Sequence, residues 1–442
     1  MQVGESGTPG RARPLAAPVP AADRLQGLDV LRGVAVLGIL VMNVYAFALP
    51  FAAYMNPLLA GGRDWYDLGT WFATHVLFDQ KFMSIFSLLY GAGIVLLMTR
   101  AESRGAAFGP LFFRRQFWLL VIGAAHAYLI WFGDILFFYA VTGMLVFLFR
   151  HLRPRTLAVA GVAFLLVGLA MSQVTSVFIA GLRAEAAELA AQQSAGTELD
   201  ETQQATIDTW LEMRPTFAPT AADIDAEIEA YRSDYATIVA FRAPDVVAMH
   251  FQALPFFIIW RVGGLMLLGM ALMKTGLLTG SRDAATYGRL CVWGYAVGLP
   301  LTIFSAVSAW RHGFDLVWMF GPGGVPNYVG SLFVAAGHIG LVLWLVRNGK
   351  AAGPLRRFGA VGRTALSNYL LHSLVMTSIF YGYGLGLFAH VPRFWLMSFV
   401  AGLVGAQLLV SPWWLARFRF GPAEWAWRSL TYGRAQPFRG TA

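Results

Sequence analysis

Residues 28–47 read LDVLRGVAVLGILVMNVYAF. From Val34 to Phe47 the stretch carries one amide, Asn43, and no charge. At about 1.5 Å per residue, twenty such residues reach roughly 30 Å, the thickness of a bilayer's hydrocarbon core. Neither the alternation of a half-buried strand nor the polar stripe of a surface helix is present, so the stretch predicts a helix that crosses a membrane. Its limits are set at 30–50, and comparable runs recur near 82–99, 115–132, 135–149, 156–180, 247–273, 289–310, 328–346, 364–381 and 394–415. The expected fold is therefore an all-α polytopic membrane protein, with about ten transmembrane helices in one bundle.

The composition points the same way. Charged residues make up 13% of the chain and hydrophobic ones 57%, whereas a soluble domain carries about 25% charged residues. The mean hydropathy is +0.58. A membrane barrel would show weak alternation rather than continuous apolar runs. The only cysteine, Cys291, excludes an internal disulfide and a cysteine metal cluster. With no His-Glu-x-x-His site, phosphate loop or dinucleotide fingerprint, no metal is expected. The net charge of +9 belongs to loops rather than to a basic, aromatic-interleaved domain, so no nucleic-acid partner is expected.

Charge placement orients the spans. Basic residues crowd alternate connections, as at Arg100 and Arg104, Arg114 and Arg115, Arg150 to Arg155, and Arg347 to Arg363, with Arg11, Arg13 and Arg24 before the first span. By the positive-inside rule these connections and both termini are cytoplasmic. The expected organisation is a disordered tail (1–27), a five-helix part (28–181), an acidic helical extracytoplasmic insert (182–246), a second five-helix part (247–416) and a basic cytoplasmic tail (417–442). Ala46-Phe47-Ala48 has the small-residue pattern of a cleavage site, but a long apolar region and many later spans read as an uncleaved anchor.

Ionisable groups within spans are costly and mark candidate sites. Arg32 and Asn43 fall on one face of the first span, about 16 Å apart in height. They fit a shared internal cavity, or a snorkelling cation and an interhelical amide. His75 and Asp79 are one turn apart beside Lys81, as a general base or on a surface helix. In GAAHAYLIWFGDILFFYA (123–140), Asp134 is placed to cap the N-terminus of the fourth span. His126 is expected about 10 Å below that turn, too far for an automatic pair, facing a neighbouring helix across Gly123, Ala124, Ala125 and Ala127. Arg261 at mid-span calls for an anionic ligand or backbone carbonyls. Asn368 and His372 share a helical face, as interhelical links or cavity lining.

LDVLRGVAVLGILVMN, KFMSIFSLLYGAG, RRQFWLLVIGAAHAYLIWFGDILFFYAVTG and GRTALSNYLLHSLV with YGYGLGLF behind it together resemble the YeiB-like family of bacterial membrane proteins, whose C-terminal part is a domain of unknown function. More distantly, the opening resembles transmembrane acyltransferases. In heparan-alpha-glucosaminide N-acetyltransferase a similar Asp-x-x-Arg-Gly opens the first span, with an Asn at the spacing of Arg32 to Asn43. In bacterial O-acyltransferases a histidine stands where this chain has Asn43, so this resemblance leaves His126 or His75 as base and makes Arg32 a cation facing the acyl donor.

The leading expectation is an acyltransferase of the bacterial inner membrane, moving an acyl group from cytoplasmic acyl-CoA to a lipid or sugar acceptor at the outer face. His126, Asn43, His75 and Asp134 are the catalytic candidates, and Arg32, Arg261, Tyr139, Asn368 and His372 the substrate-binding ones. Attack on a thioester needs a base near the acceptor and donors for the oxyanion. Neutral His126 suits the first role and Asn43 or Tyr139 the second. The alternatives are a transporter or exporter of a small anion or lipid, and a non-catalytic scaffold or sensor. Membrane lipids surround the protein in every case.

Overall fold

The structure, a computed structural model, describes residues 26–105 and 107–439. Most of the expected 1–27 tail, with Arg11, Arg13 and Arg24, lies outside the described residues. Among those described, the regular elements are helical, and an isolated bridge joins Phe418 to Arg439.

α1 (Gln26–Ala48) is followed by the short α2 (Phe51–Met55) and by α3 (Trp65–Leu77), which meets α4 (Lys81–Glu102) at a left-handed Gln80. α5 (Phe108–Ala125) and α6 (Leu136–Val146) form a hairpin, and α7 (Pro154–Ser194) runs for 41 residues. α8 (Glu201–Phe217), α9 (Ala221–Tyr231) and α10 (Tyr235–Ala248) follow, and a π-helical stretch, Met249–Ile258, leads into α11 (Ile259–Lys274). α12 (Ala284–Arg311), α13 (Leu316–Phe320), α14 (Val325–Arg347), α15 (Ala352–Arg363), α16 (Ala365–Phe380), α17 (Arg393–Leu415) and α18 (Pro422–Tyr432) complete the chain.

Seven helical stretches among the described residues are long and apolar enough to cross a membrane: 26–48, 65–102, 154–194, 235–274, 284–311, 322–347 and 393–415. Leu136–Phe149 and Ala365–Phe380 are apolar but shorter. They occupy the expected spans at 135–149 and 364–381. The expected span at 115–132 differs for a local reason: α5 turns π-helical at His126 instead of continuing as one straight helix.

Burial separates the centre from the rim. In α1, 78% of the apolar window is buried, against 22% in α7 and 28% in α12 and α17. α1 packs against α4, α14, α15, α16 and α17. The closest of these approaches is backbone to backbone: a Cβ on Gly362 would stand 1.8 Å from Asp29 O, and one on Gly33 1.9 Å from Phe358 O. Small residues replace hydrophobic driving force where helices must attract each other within lipid. On the rim, Val159, Leu166, Val177 and Phe178 of α7 stand exposed, a surface suited to hydrocarbon rather than water.

α7 reaches roughly 60 Å, about twice a bilayer core, and its polar second half begins the acidic segment. Capping boxes start α8 (Asp200 with Gln203) and α9 (Thr220 with Asp223). The segment docks on the end of the bundle through specific bonds. Arg232 Nε donates to Phe388 O (2.9 Å), Gly382 N–H to Tyr231 O (2.9 Å) and Phe51 N–H to Glu227 Oε1 (2.9 Å). Burial pushes the Glu227 carboxyl up to about 7; the Phe51 N–H opposes the shift and nearby Asp245 adds to it.

Candidate functional site

α5 carries His126 about 27 Å from its first residue. There the helix widens. Residues His126–Ile130 are π-helical, Trp131 N–H donates to His126 O (2.9 Å), and Trp131 leaves in an extended conformation. The wider turn and the extended residue fold the chain back on itself, and Asp134 arrives level with the imidazole. His126 Nδ1 is 2.8 Å from Asp134 Oδ1, while Asp134 Oδ2 accepts from Phe137 N–H at 2.7 Å. The carboxylate thus caps the start of α6 and holds the histidine together. The expected 10 Å separation rested on a straight α-helix, and the π turn overturns it.

Across the ring, His126 Nε2 lies 2.8 Å from Ser373 Oγ on α16. With Nδ1–H given to the carboxylate, Nε2 presents a lone pair to the serine hydroxyl. Exposure is 1% at His126, 1% at Asp134 and nil at Ser373. The close approach needs bare backbone: a Cβ on Gly123 would stand 2.3 Å from Phe137 N and 2.9 Å from Asp134 Oδ2. The carbonyls of the widened turn are not orphaned. Arg242 of α10 donates to Ile130 O (2.6 Å) and Tyr128 O (3.0 Å).

A cavity of about 310 Å³ opens among α1, α4, α5, α6, α16 and α18. Seven arginines line it: Arg32, Arg100, Arg104, Arg115, Arg363, Arg419 and Arg428. Two carboxylates share the lining and both are engaged. Asp29 pairs with Arg32 (2.9 Å), and Glu424 accepts from Leu366 N–H (2.6 Å) and Ser367 Oγ (2.5 Å). Arg115 lies 3.7 Å over the Trp427 ring of α18. Farther in, Phe86, Leu89, Ile94, Leu119 and Leu136 make the wall apolar, and Tyr139 and Tyr369 also face the space. Tyr139 exchanges a hydrogen bond with Ser87 (2.8 Å).

Tyr369 sits one turn before Ser373 on α16, and its ring centroid is 5.3 Å from that of His126. Its hydroxyl takes Ile135 N–H at 3.2 Å and reaches Gly133 O at 3.4 Å. The same residue therefore lines the cavity and touches the His126 ring of the Ser373–His126–Asp134 chain. On another side of the imidazole, Trp131 has its ring 6.4 Å away and stacks on Phe47 at 4.0 Å.

The other candidates are dispersed. Arg32 lines the cavity but Asn43, half-buried on α1, does not, so their shared face does not make a shared site. His75 is buried rather than on a surface helix, stacked on Trp71 at 4.8 Å with Nδ1 3.5 Å from Asp79 Oδ2. Asp79 also accepts from Asn327 (2.7 Å), and Lys81 donates to Asn327 Oδ1 (2.7 Å) and His75 O (2.6 Å). Arg261 is held by Ser331 Oγ (2.8 Å) and Tyr328 O (3.3 Å), with Tyr328's ring 4.2 Å beneath it. Of the two partners expected, the backbone carbonyl is present, and Arg261 Nε is left without a bond. Asn368 donates to Ser411 Oγ (3.2 Å), and His372 Nε2 bonds Gln407 Oε1 (2.8 Å), tying α16 to α17.

Sequence reasoning missed Ser373 and Arg242, and noted Tyr369 without giving it a role. Ser373 and Tyr369 do lie in the quoted GRTALSNYLLHSLV, but their partners are some 240 residues away, beyond the reach of local spacing. Among the described residues no group of three or more His, Cys, Asp or Glu could hold a metal ion.

Comparison with known proteins gives the chain's family. A family model described as "Protein of unknown function (DUF418)" matches residues 272–434. That region includes Tyr369, Ser373 and α18, whereas His126 and Asp134 precede it. The chain is 32% identical to "Uncharacterized protein YeiB" of Escherichia coli (strain K12) over 413 residues, covering 93% of this chain and 97% of that protein. It is 31% identical to "Uncharacterized protein YxaH" of Bacillus subtilis (strain 168) over 430 residues, 95% of this chain and 97% of that one. With helices fit to cross a membrane and end-to-end similarity of this kind, the chain belongs to the YeiB-like family.

Proposed function

We propose that this protein is an integral membrane acyltransferase, taking an acyl group from cytoplasmic acyl-CoA and passing it to a lipid or sugar acceptor at the extracytoplasmic face. One observation carries this reading: the cavity joins an arginine-rich lining to an apolar interior that ends one tyrosine ring from a histidine with a carboxylate partner. Phosphates suit arginines, a pantetheine arm and acyl chain suit the apolar wall, and a neutral imidazole suits general-base work. The cavity's 310 Å³ lies at the lower end of small-molecule sites, roughly 300–1,000 Å³. It accommodates the arm and a short acyl group and leaves the nucleotide at the arginines. In this reading ten segments cross a bacterial inner membrane (α1, α4, α5, α6, α7, the π stretch with α11, α12, α14, α16 and α17). Both termini are then cytoplasmic and the acidic segment lies outside.

The test is reconstitution. Labelled acetyl-CoA and octanoyl-CoA are supplied to the arginine side of proteoliposomes, with an envelope extract inside as acceptor. Transfer of label that falls in His126→Ala, and donor binding that weakens in Arg115→Ala, supports the reading. Movement of a labelled anionic lipid without covalent change, and no binding of either acyl-CoA, overturns it in favour of transport.

A further inference from the structure

We propose that Ser373 is an acyl-accepting nucleophile, activated by His126 and oriented through Asp134, so that the acyl group pauses on the protein between donor and acceptor. This inference rests on the acyltransferase reading and adds to it a covalent intermediate and a gate.

The geometry is that of a hydroxyl, an imidazole and a carboxylate in line. Ser373 Oγ is 2.8 Å from His126 Nε2, and His126 Nδ1 is 2.8 Å from Asp134 Oδ1. Such an order is recognised by geometry rather than by position in the chain. It supplies what a serine nucleophile needs, a base within hydrogen-bond reach and a third group that holds the base in the right tautomer. Asp134 is itself fixed by Phe137 N–H, and Arg242 fixes the carbonyls of the turn that bears His126. A serine buried with no exposure could simply link helices, and for that a single partner would do. The complete relay, placed one helical turn beyond a cavity suited to an activated acyl donor, is what a link does not require.

Tyr369 is the gate. It lines the cavity, lies one turn before Ser373 and contacts the His126 ring, and its two hydroxyl contacts are long, at 3.2 and 3.4 Å. Rotation of this one side chain joins the cavity to Ser373. Trp131, stacked on Phe47, closes another side. An acyl group parked on Ser373 lets the two sides open in turn, so donor and acceptor never share one open channel.

The steps balance. Ser373 Oγ attacks the thioester carbonyl carbon as its proton passes to His126 Nε2. The carbon–sulfur bond breaks, the departing sulfur takes that proton, and CoA leaves as the free thiol. The acyl group is now an ester on Ser373. An acceptor hydroxyl then gives its proton to His126 Nε2 and attacks the ester carbon, and Ser373 Oγ departs with the proton regained from His126. Overall, acyl-CoA and an alcohol become an ester and CoA.

The experiment uses the full chain in nanodiscs, mixed with acetyl-CoA or octanoyl-CoA, quenched in acid and mapped by mass spectrometry. One acyl group is expected on the peptide holding Ser373, with none in Ser373→Ala and a fall of about 10⁴ in acylation rate in Asp134→Asn, by analogy with serine hydrolases. Ser373→Cys should carry a thioester released by neutral hydroxylamine, an outcome no structural role would produce. It also serves if Ser373→Ala fails to fold. A fluorophosphonate probe reads Ser373 activation without any acyl donor. Labelling that requires His126, with no acylation by either CoA ester, keeps the nucleophile and removes the acyl-CoA reading. Transfer to the acceptor at the wild-type rate in Ser373→Ala keeps the acyltransferase and overturns the nucleophile. A folded Ser373→Cys that binds donor and stays unmodified does the same.

Discussion

Asp134 is the residue whose removal separates a built relay from a fortuitous contact. Its two oxygens satisfy two buried donors, His126 Nδ1–H (2.8 Å) and Phe137 N–H (2.7 Å). In Asp134→Ala both are left without partners. An unsatisfied buried donor costs about 1–3 kcal/mol, so the pair predicts a loss of about 2–6 kcal/mol. Ser373→Ala leaves one buried group, His126 Nε2, without its partner, and by the same rule costs about 1–3 kcal/mol. Asp134→Asn leaves each of these groups paired. Its oxygen can stay on Phe137, but its amide nitrogen then faces Nδ1 and drives the ring proton to Nε2, where it points at Ser373. The fold survives while the tautomer reverses. Thermal unfolding in one detergent, followed by tryptophan fluorescence, should show a larger loss in Asp134→Ala than in either Ser373→Ala or Asp134→Asn. Nitrogen NMR of ¹⁵N-histidine protein should show the tautomer exchanged only in the asparagine variant. If Asp134→Ala melts with the wild type, or Ser373→Ala costs more than it does, the carboxylate does not hold these donors and the relay falls.

Glu227 links the acidic segment to the bundle through Phe51 N–H, and its carboxyl is raised to about 7 from an ordinary value of 4.5. A carboxyl raised on folding holds its proton better folded than unfolded. Its contribution is therefore full below pH 4.5 and is lost as the pH climbs through 7. The protection factors of α9 amides, with the intrinsic rise of exchange with pH divided out, should fall from pH 5 to pH 8, and Glu227→Gln should flatten that fall; an equally steep fall in the variant would contradict the assignment. At the α1–α15 crossing, Gly362→Ala would put a methyl 1.8 Å from Asp29 O. Overpacking of this kind costs about 1–3 kcal/mol or more, so the variant should lose yield and melt lower. Gly402→Ala, with nothing within 4 Å, should match the wild type, and equal yields of the two would refute the backbone contact.

The membrane character was legible because it depends on summed composition along the chain, and a run such as 28–47 cannot be read otherwise. The roles of Asp134 and His75 were legible in part, since a capping carboxylate and a His–Asp pair one turn apart depend on neighbours in sequence. The His126–Asp134 bond was not, although only eight residues separate the two. Extrapolation along an α-helix kept them apart, and HAYLI bears no Pro or Gly to warn of a widened turn. The carbonyls that the π geometry exposes are taken by Arg242 and by Tyr235 Oη, both of α10 and more than a hundred residues away. Arg261 shows the same limit from the other direction. Without a nearby carboxylate in the sequence it left an anion and backbone carbonyls both open, and Tyr328 and Ser331 supply a carbonyl, a hydroxyl and an aromatic face. Within lipid a polar group must find a partner, so the existence of a partner can be read from one chain. Its identity is a property of helix neighbours, and Ser373 became visible only when α16 was seen against α5.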